Sequence, residues 1–184
     1  MENLNFPSTK ELQSLLNKEK FKKIVIICGD KSFKNSGAET FIKNLLSSFD
    51  CEFFFKKSAY PDLKELKEII NFFKRSTPDL IIAIGGGSVL DYAKIANVLT
   101  DSKNIQEEIT NATYNINKKY AKLIAIPTTA GSGAEVTTNA VIYIDKIKYS
   151  VEGENLKPDF FFLFPELVVV ASKTIKASAG FDAI

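Results

Sequence analysis

Two periods of apolar and polar residues run along this chain, and together they set out its elements. Leu12, Leu15 and Leu16 make a helical stripe behind Ser8-Thr9-Lys10-Glu11, which opens that helix like a capping box. Residues 24–28 are a short apolar run, the pattern of a buried strand, and end in Gly29-Asp30. Between residues 37 and 49, Phe41, Ile42, Leu45, Leu46 and Phe49 recur at helical spacing. Residues 52–55 read as a second strand. Residues 61–75 read as a helix begun by Pro61 or Asp62, with Leu63, Leu66, Ile69, Ile70 and Phe73 inward. Thr77-Pro78-Asp79 turns into a third strand at 80–84. Gly85-Gly86-Gly87-Ser88 follows, and then a helix to about Leu99 with Val89, Ala93, Ala96, Val98 and Leu99 on one side. This βαβαβα order at short spacing predicts a doubly wound, mostly parallel α/β sheet, Rossmann-like, with helices on both faces.

The pattern weakens over residues 100–119, which are polar and rich in asparagine and read as a surface excursion. A fourth buried strand at 123–126 runs into Pro127-Thr128-Thr129-Ala130-Gly131-Ser132-Gly133-Ala134-Glu135-Val136-Thr137, a small-residue loop rich in hydroxyls. Residues 140–144 and 148–151 alternate around Asp145-Lys146, which predicts a β-hairpin. Residues 160–164 are aromatic and strand-like, 167–170 are a further apolar run, and Thr174 onward turns helical. That last helix has no glycine cap, basic last turn or polar tail, and reads as cut at Ile184.

Composition narrows the function more by what is missing than by what is present. A net charge of +2 is too small to point to nucleic acid or an anionic membrane. No apolar run approaches the ~18–20 residues of a membrane span. Residues 1–10 lack the apolar segment of a signal peptide, so the expected compartment is the cytoplasm. Cys28 and Cys51 sit among apolar residues without a CxxC spacing and read as buried, reduced thiols. There is no histidine, which rules out Ser-His-Asp, Cys-His and HExxH chemistry within these 184 residues.

The glycine turn is the strongest chemical signal. Strand, glycines and helix N-terminus together present backbone N–H groups and a positive dipole end to an anion, and the missing Cβ atoms let a diphosphate come close. A tight βα connection with no ligand is the plain alternative. The hydroxyl loop after the fourth strand would meet this turn at the carboxyl edge of the sheet, where such folds bind ligands.

With both loops in view, the chain resembles the iron-containing (group III) alcohol dehydrogenases. The matching residues are Gly85-Gly86-Gly87-Ser88 with Asp91 and Lys94, the loop Pro127 to Thr137, Pro158-Asp159, Pro165-Glu166-Leu167 and Gly180-Phe181-Asp182-Ala183. The resemblance implies an N-terminal dinucleotide-binding α/β domain over residues 1–172. Residues 173–184 would begin a helical metal-binding domain whose histidines lie further on. It implies a nicotinamide cofactor, which the carboxylate of Asp30 would make NAD rather than NADP, with Lys31 and Lys34 softening the preference. It also implies a divalent metal, iron or zinc, in the full-length parent, and a small alcohol or aldehyde as substrate. The 184 residues alone are expected to be inactive. By position, Asp30 corresponds to the acid on the adenosine ribose, and Gly86, Gly87 and Ser88 to the diphosphate turn. Asp91 lies on the helix face that the cofactor approaches. Thr128, Thr129 and Ser132 correspond to hydroxyls along the cofactor, Asn139 and Lys148 to polar positions near the nicotinamide half, and Asp182 to a metal ligand. Each keeps a plainer reading: Asp30 as a turn residue, Thr128-Thr129 as a helix cap, Lys148 as a solvated strand lysine. Lys94 reads as structural or surface. Phe164 stands where the family usually carries an aspartate. Gly29-Asp30-Lys31-Ser32-Phe33, Ser36-Gly37-Ala38 and Lys148-Tyr149-Ser150-Val151 resemble the hydroxyethylphosphonate dehydrogenase (phosphonoacetaldehyde reductase) branch. The alternatives are a non-catalytic dinucleotide-binding module and a 3-dehydroquinate synthase-like or glycerol-1-phosphate dehydrogenase-like enzyme. A homo-oligomer is compatible with the sequence.

Overall fold

Strands that are apolar on both faces are stable only when both faces are covered, and that requirement organises this molecule. A computed structural model describes residues 8–183. The expected absence of a leader falls largely on residues 1–7, and Ile184 of the expected second-domain segment also lies outside the described residues. Helix α1 (Thr9–Glu19) carries the capping box at Ser8 and buries Leu12 and Leu16. Strand β1 (Lys23–Gly29) is buried over its middle five residues. Helices α2 (Asp30–Asn35) and α3 (Ala38–Leu45) lead to strand β2 (Asp50–Lys56). Helix α4 (Leu63–Ser76) is capped by Asp62, whose carboxylate accepts the Glu65 N–H at 2.8 Å. Strand β3 (Leu80–Gly85), buried throughout, feeds helix α5 (Gly87–Leu99).

The second part of the chain holds helix α6 (Ile105–Thr110), strand β4 (Lys122–Pro127) and the hairpin β5 (Asn139–Ile144) with β6 (Ile147–Glu152). Strand β7 (Phe160–Phe161), helix α7 (Pro165–Val168) and helix α8 (Lys173–Asp182) complete the described elements. The main sheet has the order β2-β1-β3-β4-β7, every pair parallel. Val25, Ile27, Ile81, Ala83, Leu123 and Ala125 join the layer built from α4, α5 and the hairpin. Their neighbours Ile24, Ile26, Ile82, Ile84, Ile124 and Ile126 join the opposite layer with α1 and α3. The doubly wound α/β architecture expected from the sequence is therefore present.

The hairpin forms where expected because Asp145 and Lys146 both take positive φ, 51° and 67°, the backbone of a type I′ turn. Three segments differ from the pattern reading. Residues 30–35 form α2, which buries one apolar side chain, Phe33. The polar excursion contains α6, capped by Asn104 and seated by Ile105 and Ile109. The aromatic run pairs for two residues only, and 165–168 is helical because Pro165 at its first turn favours a helix start. Phe164 occupies the N-cap position of that helix without a side-chain cap. It is buried, 4.7 Å from the Phe41 ring and 6.1 Å from that of Phe162, so packing replaces capping there.

Cys28 is buried and Cys51 half-buried, and both are free. Burial is the main cause that pushes their thiols up to about 12 and about 11. No helix among the described residues is long and apolar enough to cross a membrane.

Candidate functional site

The strand order creates a crevice. From β1 the chain steps outward to β2 and returns to β3 on the other side, so the carboxyl ends of β1 and β3 flank the point where direction reverses. Gly29-Asp30 leaves one of these ends and Gly85-Gly86-Gly87-Ser88 the other. The loop after β4 lies beside the second, joined to it by Thr128 N–H on the Gly85 carbonyl at 2.9 Å.

The start of α5 carries no side chain that would compete with an anion. Gly86 is the N-cap of α5 and contributes no side-chain cap, and the first turn of α5 has no acidic residue. Helices α2, α3 and α7 also start without a side-chain cap, but among these uncapped helices only α5 both follows a buried central strand and has no acidic residue in its first turn. The glycines face the hydroxyl loop closely. A Cβ on Gly86 would stand 3.2 Å from Thr129 Oγ1, and one on Gly87 would stand 3.0 Å from Ser132 Oγ. Beside this gap lies a cavity of about 360 Å³ lined by Lys31, Ser32, Thr128, Thr129, Val170 and Ile175, among others. Two larger hollows are lined by residues of neither loop. One is a polar basin of about 430 Å³ around Asn97, Thr100 and Asn115, the other a cleft of about 540 Å³ beside Tyr60 and Tyr143.

The expected site residues fall into three groups. Gly86, Gly87 and Ser88 are half-buried, Thr128 is buried, and Thr129 and Ser132 sit across from the glycines. Asp91 follows one turn along α5. Burial pushes its carboxyl up to about 6, against the pull of Lys94, the Val141 backbone N–H and Lys148. Asn139 and Lys148 are exposed on the hairpin, where Lys148 is near enough to act on Asp91. Asp30 is exposed, paired with Lys34 at 3.2 Å, and does not line the cavity. Asp182 is exposed near the end of α8. Among the described residues no three His, Cys, Asp or Glu side chains group as metal donors, so Asp182 by itself does not make a metal site.

Pattern reading missed two features. The walls supplied by α2 and by Val170 and Ile175 come from segments far apart in sequence. Lys94 is fully buried, which agrees with the structural of its two readings, but its partners on the loop after β4 do not show in the pattern. A signal for its burial existed: a lysine three residues after Asp91 in an otherwise apolar helix.

The sequence profile described as "Iron-containing alcohol dehydrogenase" matches residues 6–165. The chain belongs to this family. Within it, the chain is 34% identical over 179 residues to the bifunctional aldehyde-alcohol dehydrogenase AdhE of Escherichia coli K12, covering 88% of this chain and 20% of AdhE. It is 33% identical over 132 residues to an alcohol dehydrogenase of Thermococcus barophilus, covering 68% of this chain and 35% of that protein. Among solved structures, sulfoacetaldehyde reductase from Bifidobacterium kashiwanohense in complex with NAD+ aligns with a TM-score of 0.83 at 25% identity, covering 95% of this chain and 46% of that one. NADH-dependent butanol dehydrogenase A from Thermotoga maritima shares the fold, with a TM-score of 0.85 at 21% identity, over 95% of this chain and 44% of that one. This family member thus spans between a fifth and about half of the length of these relatives.

Proposed function

We propose that this chain is the cofactor-binding part of a metal-dependent alcohol dehydrogenase or aldehyde reductase that transfers hydride between NAD(H) and a small alcohol or aldehyde. The observation that carries the reading is the uncapped glycine turn of α5 facing Thr129 and Ser132 beside the switch point of the sheet. The backbone of Gly86, Gly87 and Ser88 holds the diphosphate, and Ser132 closes over it. Thr128 and Thr129 line the adenosine side with the walls of the adjacent cavity, and Asp30 accepts the ribose hydroxyls. Asp91, Asn139 and Lys148 serve the nicotinamide half. Residues 1–172 act as the dinucleotide-binding domain, and 173–184 begin a second, helical one. Asp182 is the single carboxylate this chain would offer to a divalent ion, iron or zinc, in a longer parent.

The finer substrate reading is phosphonoacetaldehyde. It draws on the residues after β1 and along β6, and on the similarity to a reductase of another anionic aldehyde, sulfoacetaldehyde.

Titration of the chain with NADH and NADPH tests the cofactor reading. A carboxylate accepts hydrogen bonds from a ribose 2′-hydroxyl and repels a 2′-phosphate. Asp30→Gly removes both effects and leaves Lys31 and Lys34 to meet the phosphate. The NADH-over-NADPH preference should fall by roughly tenfold or more, the scale of a charged hydrogen bond. An unchanged ratio moves the ribose away from Asp30, and a chain that binds neither nucleotide overturns the function.

A further inference from the structure

We propose that Lys94 is a positioning residue for the diphosphate end of the cofactor cradle, pinning the far end of the loop that carries Ser132. The proposal rests on the dinucleotide reading above. The loop between β4 and β5 is tied to the glycine turn at its near end by the Thr128 N–H bond to the Gly85 carbonyl. At its far end the tie is Lys94. Its ammonium donates to the Ala134 carbonyl at 2.9 Å, to Thr137 Oγ1 at 3.0 Å and to the Asn139 carbonyl at 2.5 Å. The bonds from Val136 N–H to the Gly133 carbonyl and from Ala134 N–H to Ser132 Oγ lie within the loop itself. Ala134 is the only buried residue from 129 to 139. Apolar packing alone therefore gives this segment little hold.

Energetics favour a specific role for the charge. A lysine with no exposed surface is costly unless its ammonium is fully partnered, and an apolar side chain of similar length would fill the space more cheaply. The partners here are two backbone carbonyls and a hydroxyl, all on the loop or at the first residue of β5. Asp91 on the same helix and Glu135 on the loop favour the charged form, against the burial that lowers it. Lys94 lies two turns along α5 from the glycine turn. It thus joins the helix whose N-terminus would face the phosphates to the strand of loop that carries Ser132, which is 3.0 Å from where a Cβ on Gly87 would be. Thr129, nearer the Thr128 tie, depends on it less.

That asymmetry separates positioning from general stabilisation. Wild-type chain, Lys94→Met and Thr137→Val are titrated with ADP, which reaches the diphosphate turn, and with adenosine, which does not. Lys94→Met should weaken ADP by about tenfold or more and leave adenosine within about twofold. Thr137→Val removes one acceptor and keeps the packing, so it should weaken ADP by a few-fold with the same selectivity. If Lys94→Met does not fold, Thr137→Val decides by the same ratio. An equal fall for both ligands, or no fall in folded protein, overturns the positioning role while the dinucleotide site stands. A wild-type chain that binds neither ligand overturns the dinucleotide reading and this role together.

Discussion

Gly86→Val should abolish dinucleotide binding and leave the fold in place. The first added atom already stands 3.2 Å from Thr129 Oγ1, and the two γ-carbons of valine would fill the remaining gap between the glycine turn and the hydroxyl loop. A diphosphate would meet the amides at the start of α5, and a valine side chain there would displace Thr129 and cover them. Gly86 is the N-cap, with φ −76° and ψ 178°, a backbone open to any L-residue, so the substitution adds bulk without forcing an unfavourable conformation. A loss of affinity of about a hundredfold or more, about 2.7 kcal/mol, is expected by calorimetry on folded protein. Undiminished affinity would move the phosphates to another part of the molecule.

Residues 1–184 alone should give no measurable metal-dependent aldehyde reduction. A divalent ion in such an enzyme polarises the carbonyl and stabilises the developing alkoxide. Holding it takes several donors in fixed geometry. This sequence has no histidine, and Asp182 is a single exposed carboxylate. The chain is assayed with NADH, several small aldehydes, phosphonoacetaldehyde among them, and Fe²⁺ or Zn²⁺. The comparison is a longer protein that continues through the length its relatives have. Turnover by the 184 residues comparable to that of the longer protein would show that this stretch supplies the whole catalytic apparatus.

Much of the scaffold was legible because its physics is local. Residues 24–28, 80–84 and 123–126 are continuous apolar runs, as strands buried on both faces must be. The hairpin was legible from alternation on either side of Asp145-Lys146. The elements that escaped are those whose stability comes from elsewhere. Helix α2 shows one buried apolar residue, Phe33, and α6 two, Ile105 and Ile109, too few for a period to stand out. Strand β7 pairs over two residues, its last tie to β4 being the Phe162 N–H on the Ala125 carbonyl at 3.0 Å, and Phe162 and Phe164 then stack on each other in the core. In the site, the glycine turn and the hydroxyl loop were visible because glycines and small hydroxyls in a row are unusual. Lys94 was not assigned its place because its partners include two backbone carbonyls, and carbonyls leave no trace in residue type. The wall formed by Val170 and Ile175 depends on how α8 docks. Gly131 allows that docking, since a Cβ there would lie 2.3 Å from the Ala179 carbonyl oxygen.

The central claim is that a dinucleotide binds across the carboxyl ends of β1, β3 and β4, and backbone amide shifts on titration with NADH test it directly. The expected result is saturable movement of the amides of residues 30–36, 85–91, 128–134, 139 and 148, with the polar basin around Asn115 and the Lys64–Lys67 side of the cleft beside Tyr60 unmoved. Shifts confined to either of those two hollows, or none at saturating NADH, would contradict the account.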